Sequence, residues 1–383
     1  MNSNYDIIVI GAGSIGIPTT LSLSKNKKKV LCIDSLPSPG QGNNKRAIGG
    51  VRATHSIFGK YKVCTRSIEI LSTWKETYGF DIGWISNGYS FPAYTEEHEN
   101  FLKQLVNEKD KFGLNINWIS KEEYNELVPG ILTEGLRGAS YSPEDGSCSP
   151  LLTSNAMYFK SLEYGANYRF NEIVLDIKYE NNLFCLTTNK NKYFAQYLVN
   201  ASGNNAKEIS LKLGFDVPVV PDSHEAAITE PVKRFFGPMV VDLRKENGSS
   251  NFYFYQNSEG QVIYCLTPDP LIYGTDSDIT SEFLPLCMSR LYKVYPRLAV
   301  LKFRRQWRGQ YPMTPDASPI IGTYKEMPHF IQAIGMCGQG FMMGPGVGEL
   351  LDRIVSDNLT NDDLITLESF NPTRDFSSTE EIK

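Results

Sequence analysis

The chain is poor in histidine. Its 383 residues contain four, His55, His98, His224 and His329. They form no HExxH or HxH cluster, which disfavours metal-assisted hydrolysis, and no metal ligands are expected. The seven cysteines, Cys32, Cys64, Cys148, Cys185, Cys265, Cys287 and Cys337, form no CxxC pair. A disulfide framework or a zinc site is therefore not expected, and a reduced compartment, the cytoplasm, is the default. Excess positive charge is also missing. Lys+Arg is 38 and Asp+Glu is 43, a net charge of -5, which argues against a nucleic-acid partner. No apolar run reaches the roughly 18 residues of a transmembrane segment. The N-terminus lacks the charged head and cleavage site of a signal peptide. What remains is ordinary globular composition, 41% hydrophobic and 21% charged, over a length that suggests two domains.

The first 34 residues carry the strongest local pattern. Tyr5–Ile10 reads as a strand buried on both faces. Gly11-Ala12-Gly13-Ser14-Ile15-Gly16 follows, then a short helix closed by Lys25–Lys29, then a second strand, Val30–Asp34. In such a GxGxxG turn Gly11 permits the tight bend, Gly13 lets a pyrophosphate approach the backbone, and Gly16 lets the helix pack on the strand. The helix N-terminus offers free N–H groups to phosphate. Asp34, at the end of the second strand, can accept hydrogen bonds from both ribose hydroxyls. The motif points to a dinucleotide without separating FAD from NAD.

Further along, Pro37–Gly50 reads as a loop, Tyr61–Tyr78 and Glu96–Phe112 as helices, and Ile82–Pro92 as a strand between them. A helix is expected near Leu151–Gly165. Strands are expected at Ala166–Asp176, Leu183–Thr188, Tyr193–Asn200, Glu225–Glu230, Met239–Leu243, Asn251–Gln256 and Gln261–Leu266. Ser281–Tyr295 reads as a helix. The chain closes with a strand at His329–Ile334, a glycine loop Gly335–Gly340, a helix at Gly346–Asp357, and a polar tail after Asn371 that is expected to be loose.

Five stretches together resemble the D-amino acid oxidase superfamily of FAD-dependent amine oxidoreductases. They are the glycine turn; Lys45–Arg52 (KRAIGGVR); Tyr141–Pro150 (YSPEDGSCSP); Tyr197–Asn204 (YLVNASGN), continuing into Val219–Pro231; and Trp307–Gly322 (WRGQYPMTPDASPIIG) with Gly335–Glu349 (GMCGQGFMMGPGVGE). Within the superfamily the chain is similar to the branch holding the beta subunits of heteromeric sarcosine oxidase and dye-linked L-proline dehydrogenase. The resemblance runs from about Tyr5 to Asn358. It implies a glutathione-reductase-type Rossmann FAD-binding domain, α/β in class, with a second substrate domain on a mixed, largely antiparallel sheet. The implied boundaries are 1–86, 144–216 and 308–370 for the FAD domain, 87–143 and 217–307 for the substrate domain, and 371–383 for a flexible tail.

The resemblance also implies the site. Residues expected at the FAD are Gly11, Ala12, Gly13, Ser14, Ile15, Gly16, Asp34 and Ser35. Arg46, Ala47, Gly49, Gly50, Val174, Ala201, Ser202, Gly203 and Gly309 join them, with Gly335, Gly338, Gln339, Gly340, Phe341 and Met342. Gly309 stands where several relatives carry the cysteine that attaches FAD, so non-covalent FAD is expected. Cys148–Ala156 lacks the histidine that attaches FMN in heteromeric sarcosine oxidases. Gln261–Leu266 lacks the lysine by which monomeric sarcosine oxidases activate oxygen, which favours a dehydrogenase over an oxidase.

Candidate catalytic groups are Arg52, as a carboxylate holder or a structural ion pair, and His55, His224, Tyr255 and Tyr311. Tyr253, Tyr255 and Tyr264 alternate as if to line a pocket. The arginine usual for the substrate carboxylate is replaced by Tyr311. The resulting expectation is oxidation of the C–N bond of a secondary amine or an amino or imino acid (proline, sarcosine or opine-like) by hydride transfer to flavin N5. The chain would be the catalytic beta-type subunit of a dehydrogenase complex, with partner subunits. The alternatives are a stand-alone peroxide-producing oxidase and a flavin-binding scaffold without turnover.

Overall fold

The computed structural model describes residues 4–107, 113–246 and 248–377. The strand Asn4–Ile10 is buried over its last four residues. It lies between two parallel neighbours, Lys192–Asn200 and Val30–Ile33. A strand paired on both edges and covered on both faces needs apolar, β-branched side chains throughout, which its IIVI run supplies. Met327–Ile334 continues the sheet in parallel, and Ile320–Tyr324 closes that edge antiparallel. Asn167–Arg169 extends the other edge, and the hairpin of Val174–Glu180 and Leu183–Thr188 folds onto Lys192–Asn200. The face bearing Ile7 and Val9 is covered by helices Gly16–Lys25 and Gly340–Val355. These helices approach closely because Gly344 and Gly348 lack side chains. A Cβ at either would strike the backbone of Ser14 or Pro18.

The second sheet has eight strands in the order Phe303–Met313, Val220–Pro231, Gln261–Asp269, Gly248–Gln256, Met239–Asp242, Tyr89–Ala93, Gly138–Ser142 and Asn117–Ile119. Its pairings are antiparallel except that of Met239–Asp242 with Tyr89–Ala93. One face carries Phe252, Phe254, Val262 and Tyr264, which pack with Leu291, Val294 and Tyr295 at helix Phe283–Val294. By strand alternation the opposite face carries Asn251, Tyr253, Tyr255, Ile263, Cys265 and Thr267.

Several expected elements differ. The strand expected at Ile82–Pro92 forms only over Tyr89–Ala93, because Gly83 and Gly88 take positive φ and break the extended backbone. Ala166–Asp176 divides into two strands around Asn171, also at positive φ. The helix expected at Tyr61–Tyr78 begins at Phe58 and is interrupted at Thr73, whose hydroxyl bonds the Glu69 carbonyl. The helix from Glu96 runs to Asn107, and residues 108–112 lie outside the described residues. The last glycine-rich stretch is helical from Gly340 rather than from Gly346. Lys121–Leu127 and Asn361–Ser369 form helices that hydrophobic periodicity did not reveal. Each starts at a capping box, Ser120 with Glu123 and Thr360 with Asp363. The described part of the tail, 371–377, is held to the body. Arg374 donates to both oxygens of the buried Asp316, at 2.8 and 3.0 Å.

Candidate active site

The two packed helices begin at one cavity of about 550 Å³ that runs between the sheets. Neither N-terminus has a side-chain cap. Ile15 precedes the first helix and Gln339 the second, and neither bonds the orphan N–H groups. Two uncapped helix ends facing one cleft form a built anion site. Gly11 takes φ 105°, and a Cβ there would strike the Ala201 carbonyl. A Cβ at Gly16 would strike the Gly11 carbonyl, so both glycines hold the turn shut. Gly13 differs, because nothing lies within 4 Å of where its Cβ would be, and it lines the cavity. The Asp34 carboxylate accepts from Ala12 N at 2.6 Å and Leu36 N at 2.8 Å. Burial pushes its pKa up, and these two bonds oppose that shift. Each oxygen keeps a lone pair for a ribose hydroxyl. The open space over Gly13 and the acceptor at Asp34 fit a dinucleotide.

The stretch 46–52 crosses the face of the second sheet. The Arg46 carbonyl accepts from Trp307 Nε1 at 2.8 Å. The Ile48 carbonyl accepts from the Tyr255 hydroxyl. Gly50 lies against Tyr89 and Met239, and Arg52 reaches Phe91, its guanidinium 5.9 Å from the ring centre. The loop is thus fixed strand by strand. Gly49, at φ 93°, allows it to pass the Cys148 carbonyl.

The sheet supplies the facing wall. The Tyr253 and Tyr311 hydroxyls are 3.0 Å apart. The Tyr311 ring fills the space a Gly338 side chain would need. It also stacks on His224, ring centres 3.8 Å apart. His224 Nε2 lies 3.0 Å from Asp222 Oδ1, while its Nδ1 is buried without a partner. Burial pushes both tyrosine pKa values up, so the hydroxyls stay neutral. The loop Leu271–Ile279 lies across the mouth of the cleft. It is anchored by Gln310 Nε2 to the Asp276 carbonyl (2.8 Å), Arg308 to the Asp278 carbonyl (3.0 Å) and Arg46 to Ser277 Oγ (3.1 Å).

Most expected site residues line this cavity. They are Gly11, Gly13, Ser14, Ile15, Asp34, Ser35, Arg46, Ala47, Gly49, Gly50, Arg52, Val174, Ala201, Ser202, Gly203, His224, Gly309, Tyr311, Gly335, Gly338, Gln339, Gly340, Phe341 and Met342. Four expected residues do not. Ala12 and Gly16 support the turn from behind. Tyr255 props the loop at Ile48 instead of facing a ligand. His55 is fully buried behind the wall, near Cys64, and desolvation beside Arg52 and Lys60 keeps it neutral. Tyr264 points to the opposite face, into the core. Arg52 and His224 do not converge. The Phe91 and His224 strands are four spacings apart in the sheet, about 19 Å at 4.8 Å each.

The sequence reading missed Asp222, Asn251, Thr267 and the loop across the mouth. The alternation that exposed Tyr253 would equally have exposed Asn251, two residues earlier. Among the described residues no group of three or more His, Cys, Asp or Glu is arranged to hold a metal. No helix there is long and apolar enough to cross a membrane.

A family model described as DAO, FAD dependent oxidoreductase, matches residues 6–354. A glycine oxidase of Geobacillus kaustophilus is 25% identical over 373 residues, covering 95% of this chain and 96% of its own. The mitochondrial sarcosine dehydrogenase of Mus musculus is 24% identical over 91% of this chain but only 39% of its own length. The crystal structure of L-proline dehydrogenase from P. horikoshii superposes with a TM-score of 0.90 at 30% identity, covering 98% of both chains.

Proposed function

The chain belongs to the FAD dependent oxidoreductase family, an enzyme of amine or amino-acid oxidation with FAD as its cofactor, and from that premise we propose that its substrate is a secondary amine bearing a carboxylate. The observation that carries this reading is the neutral Tyr253–Tyr311 pair beside the glycine turn at Gly338. When bound, FAD accepts the hydride from the carbon next to nitrogen. The chain's own task is orientation and exclusion of water.

Gly11, Gly13 and the uncapped end of helix Gly16–Lys25 would hold the pyrophosphate, and Asp34 the ribose. Gly49, Gly50 and the stretch 335–340, which line the same cavity, would flank the ring. The Tyr253–Tyr311 pair can accept from or donate to a neutral amine. His224 keeps the Tyr311 ring in place by stacking. Arg52 reaches Phe91, whose strand is two spacings, about 10 Å, from that of Tyr253, and receives the carboxylate with its long side chain. Among the described cavity-lining residues the cations are Arg46 and Arg52, with no lysine. That composition supports a dehydrogenase that passes its electrons to an acceptor other than oxygen. The resemblance of the five motif stretches to the beta-subunit branch supports a beta-type subunit working with partner chains. The unpaired state of all seven cysteines supports a cytoplasmic home.

The test is anaerobic mixing of the FAD-loaded protein with sarcosine, L-proline, glycine and N-substituted glycines. Bleaching near 450 nm with secondary amines, followed by dye reduction without peroxide, is the expected result. Peroxide formed at the same rate as bleaching would favour the oxidase. A flavin left oxidised by every amine, with partner chains added, would leave only a scaffold.

A further inference from the structure

The cavity continues past the Tyr253–Tyr311 pair. On strand Gly248–Gln256 the side chains on the cavity-side face of the sheet follow at two-residue steps. Tyr255 touches the loop at Ile48, Tyr253 touches Tyr311, and Asn251 comes next. At about 3.3 Å per residue, Asn251 lies roughly 7 Å beyond Tyr253. Thr267 is its partner across the strand pair, and Thr267 N donates to Asn251 Oδ1 at 3.1 Å. Thr275 arrives from the loop across the mouth. That loop is tied down here, Gly274 N to the Pro221 carbonyl at 2.9 Å and Ser223 N to the Ile272 carbonyl at 2.7 Å.

All three residues line the cavity, and three of their polar groups are unspent. The Asn251 side-chain amide N–H, the Thr267 hydroxyl and the Thr275 hydroxyl make no hydrogen bond to any described residue. They offer donors and acceptors but no charge. Glu225 lines the wall on the strand next to that of Thr267. Its oxygens are taken by Thr280 N and Oγ1 at 3.0 and 2.6 Å and by Gln306 Nε2 at 2.6 Å. Its negative charge disfavours a second carboxylate nearby. A substrate as short as sarcosine or proline ends at the tyrosine pair and leaves these groups to water.

We propose that Asn251, Thr267 and Thr275 form a second subsite that receives an uncharged hydrogen-bonding arm, a hydroxyl or carboxamide, carried on the substrate nitrogen. This rests on the reading of the site as one for a carboxylate-bearing secondary amine, and deepens it. The wall then orders one molecule: carboxylate toward Arg52, nitrogen at Tyr253 and Tyr311, arm toward Asn251.

Two probes differ only at the arm's tip, N-(3-hydroxypropyl)glycine and N-propylglycine. Binding to the oxidised FAD-loaded protein is measured by calorimetry, and bleaching is followed anaerobically. The hydroxylated probe is expected to bind about tenfold more tightly, the worth of one or two neutral hydrogen bonds. Asn251→Leu and Thr267→Val should each reduce that preference to about twofold or less. Sarcosine binding should stay unchanged in both, and the melting temperature in Thr267→Val, while Asn251→Leu, which removes the acceptor of Thr267 N, should melt somewhat lower. Equal affinities for the two probes in the unmodified protein would overturn the subsite, as would a preference that survives both substitutions. Because calorimetry does not need turnover, a protein that bleaches with no amine but prefers the hydroxylated probe refutes the proposed reaction and keeps the subsite. Brisk bleaching by sarcosine with no preference between the probes does the reverse.

Discussion

The Tyr253 and Tyr311 hydroxyls lie 3.0 Å apart across two strands that do not pair with each other. Tyr253 stands on Gly248–Gln256 and Tyr311 on Phe303–Met313, with two strands between them. Only the curvature of the sheet and the length of two tyrosines bring the hydroxyls together. His224, on one of the two intervening strands, stacks on the Tyr311 ring, and Cys265 stands on the other, opposite Tyr253. One hydroxyl must donate to the other, which leaves a single proton for the substrate.

Tyr311→Phe is expected to weaken amine binding about tenfold while FAD content stays full, because it removes a bond made in a water-poor wall and leaves Tyr253 alone. Tyr253→Phe should do the same. The double variant should lose less than the product of the two, since the pair acts as one unit. Anaerobic titration of the four proteins with sarcosine checks this. Independent, multiplicative losses would show that the two hydroxyls act separately.

Gly13 and Gly16 separate cofactor binding from folding. Gly13→Ala adds a methyl group in open space within the cavity. The cofactor-free protein should melt within a degree or two of the original, while FAD affinity falls at least tenfold as the methyl meets the pyrophosphate. Gly16→Ala forces a Cβ onto the Gly11 carbonyl and should lower stability by about 1–3 kcal/mol whether or not FAD is present. The ratio of 450 to 280 nm absorbance and the melting curve of each variant read the two effects. Equal loss of stability in both would contradict the assignment of Gly13 to the ligand.

The cofactor half of this fold was legible because its residues must satisfy the backbone and the ligand together. Gly11 and Gly16 admit no side chain, and Asp34 must close a strand at a set distance. The substrate half was not. Tyr253, Tyr255 and Tyr264 look alike in sequence, yet one meets the ligand cavity, one props a loop and one packs in the core. The difference depends on which face the helix Phe283–Val294 covers, a tertiary fact. His55 looked catalytic through its closeness in sequence to Arg52, but the backbone turns it behind the wall. The early start of helix Gly340–Val355 was hidden because four glycines and a proline lower its local propensity. Packing against Gly16–Lys25, which requires Gly344 and Gly348, overrides that.

Asp145, from the YSPEDGSCSP stretch, is fully buried and accepts from Ala53 N at 2.9 Å. Burial pushes its pKa up to about 7, opposed by that bond and by the nearby Arg52. The folded chain then retains a proton that the unfolded chain loses near pH 4, so stability should fall as pH rises from about 4 to 7 and level off above. A shift of this size corresponds to something on the order of 4 kcal/mol across the window. Asp145→Asn mimics the protonated form and should flatten this slope. Urea unfolding at several pH values between 4.5 and 8 compares the two proteins. Parallel curves would mean that Asp145 is ionised throughout.

Arg374 and Asp316 join the end of the described chain to the TPDASP stretch. Arg374 donates from Nε and Nη2 to the Asp316 carboxylate, and from Nη2 to the Ser318 carbonyl at 2.8 Å. The Arg374 and Asp316 side chains are 10% and 3% exposed. Asp316 also accepts from Thr314 Oγ1 and Ser318 N. That turn holds Ala317, whose carbonyl takes the buried Lys60 ammonium at 2.7 Å, and the Thr314 methyl group lies where a Gly335 side chain would be. The tail thus braces the strand that leads to Tyr311 and the glycine turn opposite. Arg374→Ala leaves a buried carboxylate without its cation and should cost about 3–5 kcal/mol. Asp316→Asn with Arg374→Ala removes the charge as well and should recover part of the loss. Thermal unfolding of the single and double variants decides it. If Arg374→Ala melts with the unmodified protein, the tail is not a brace.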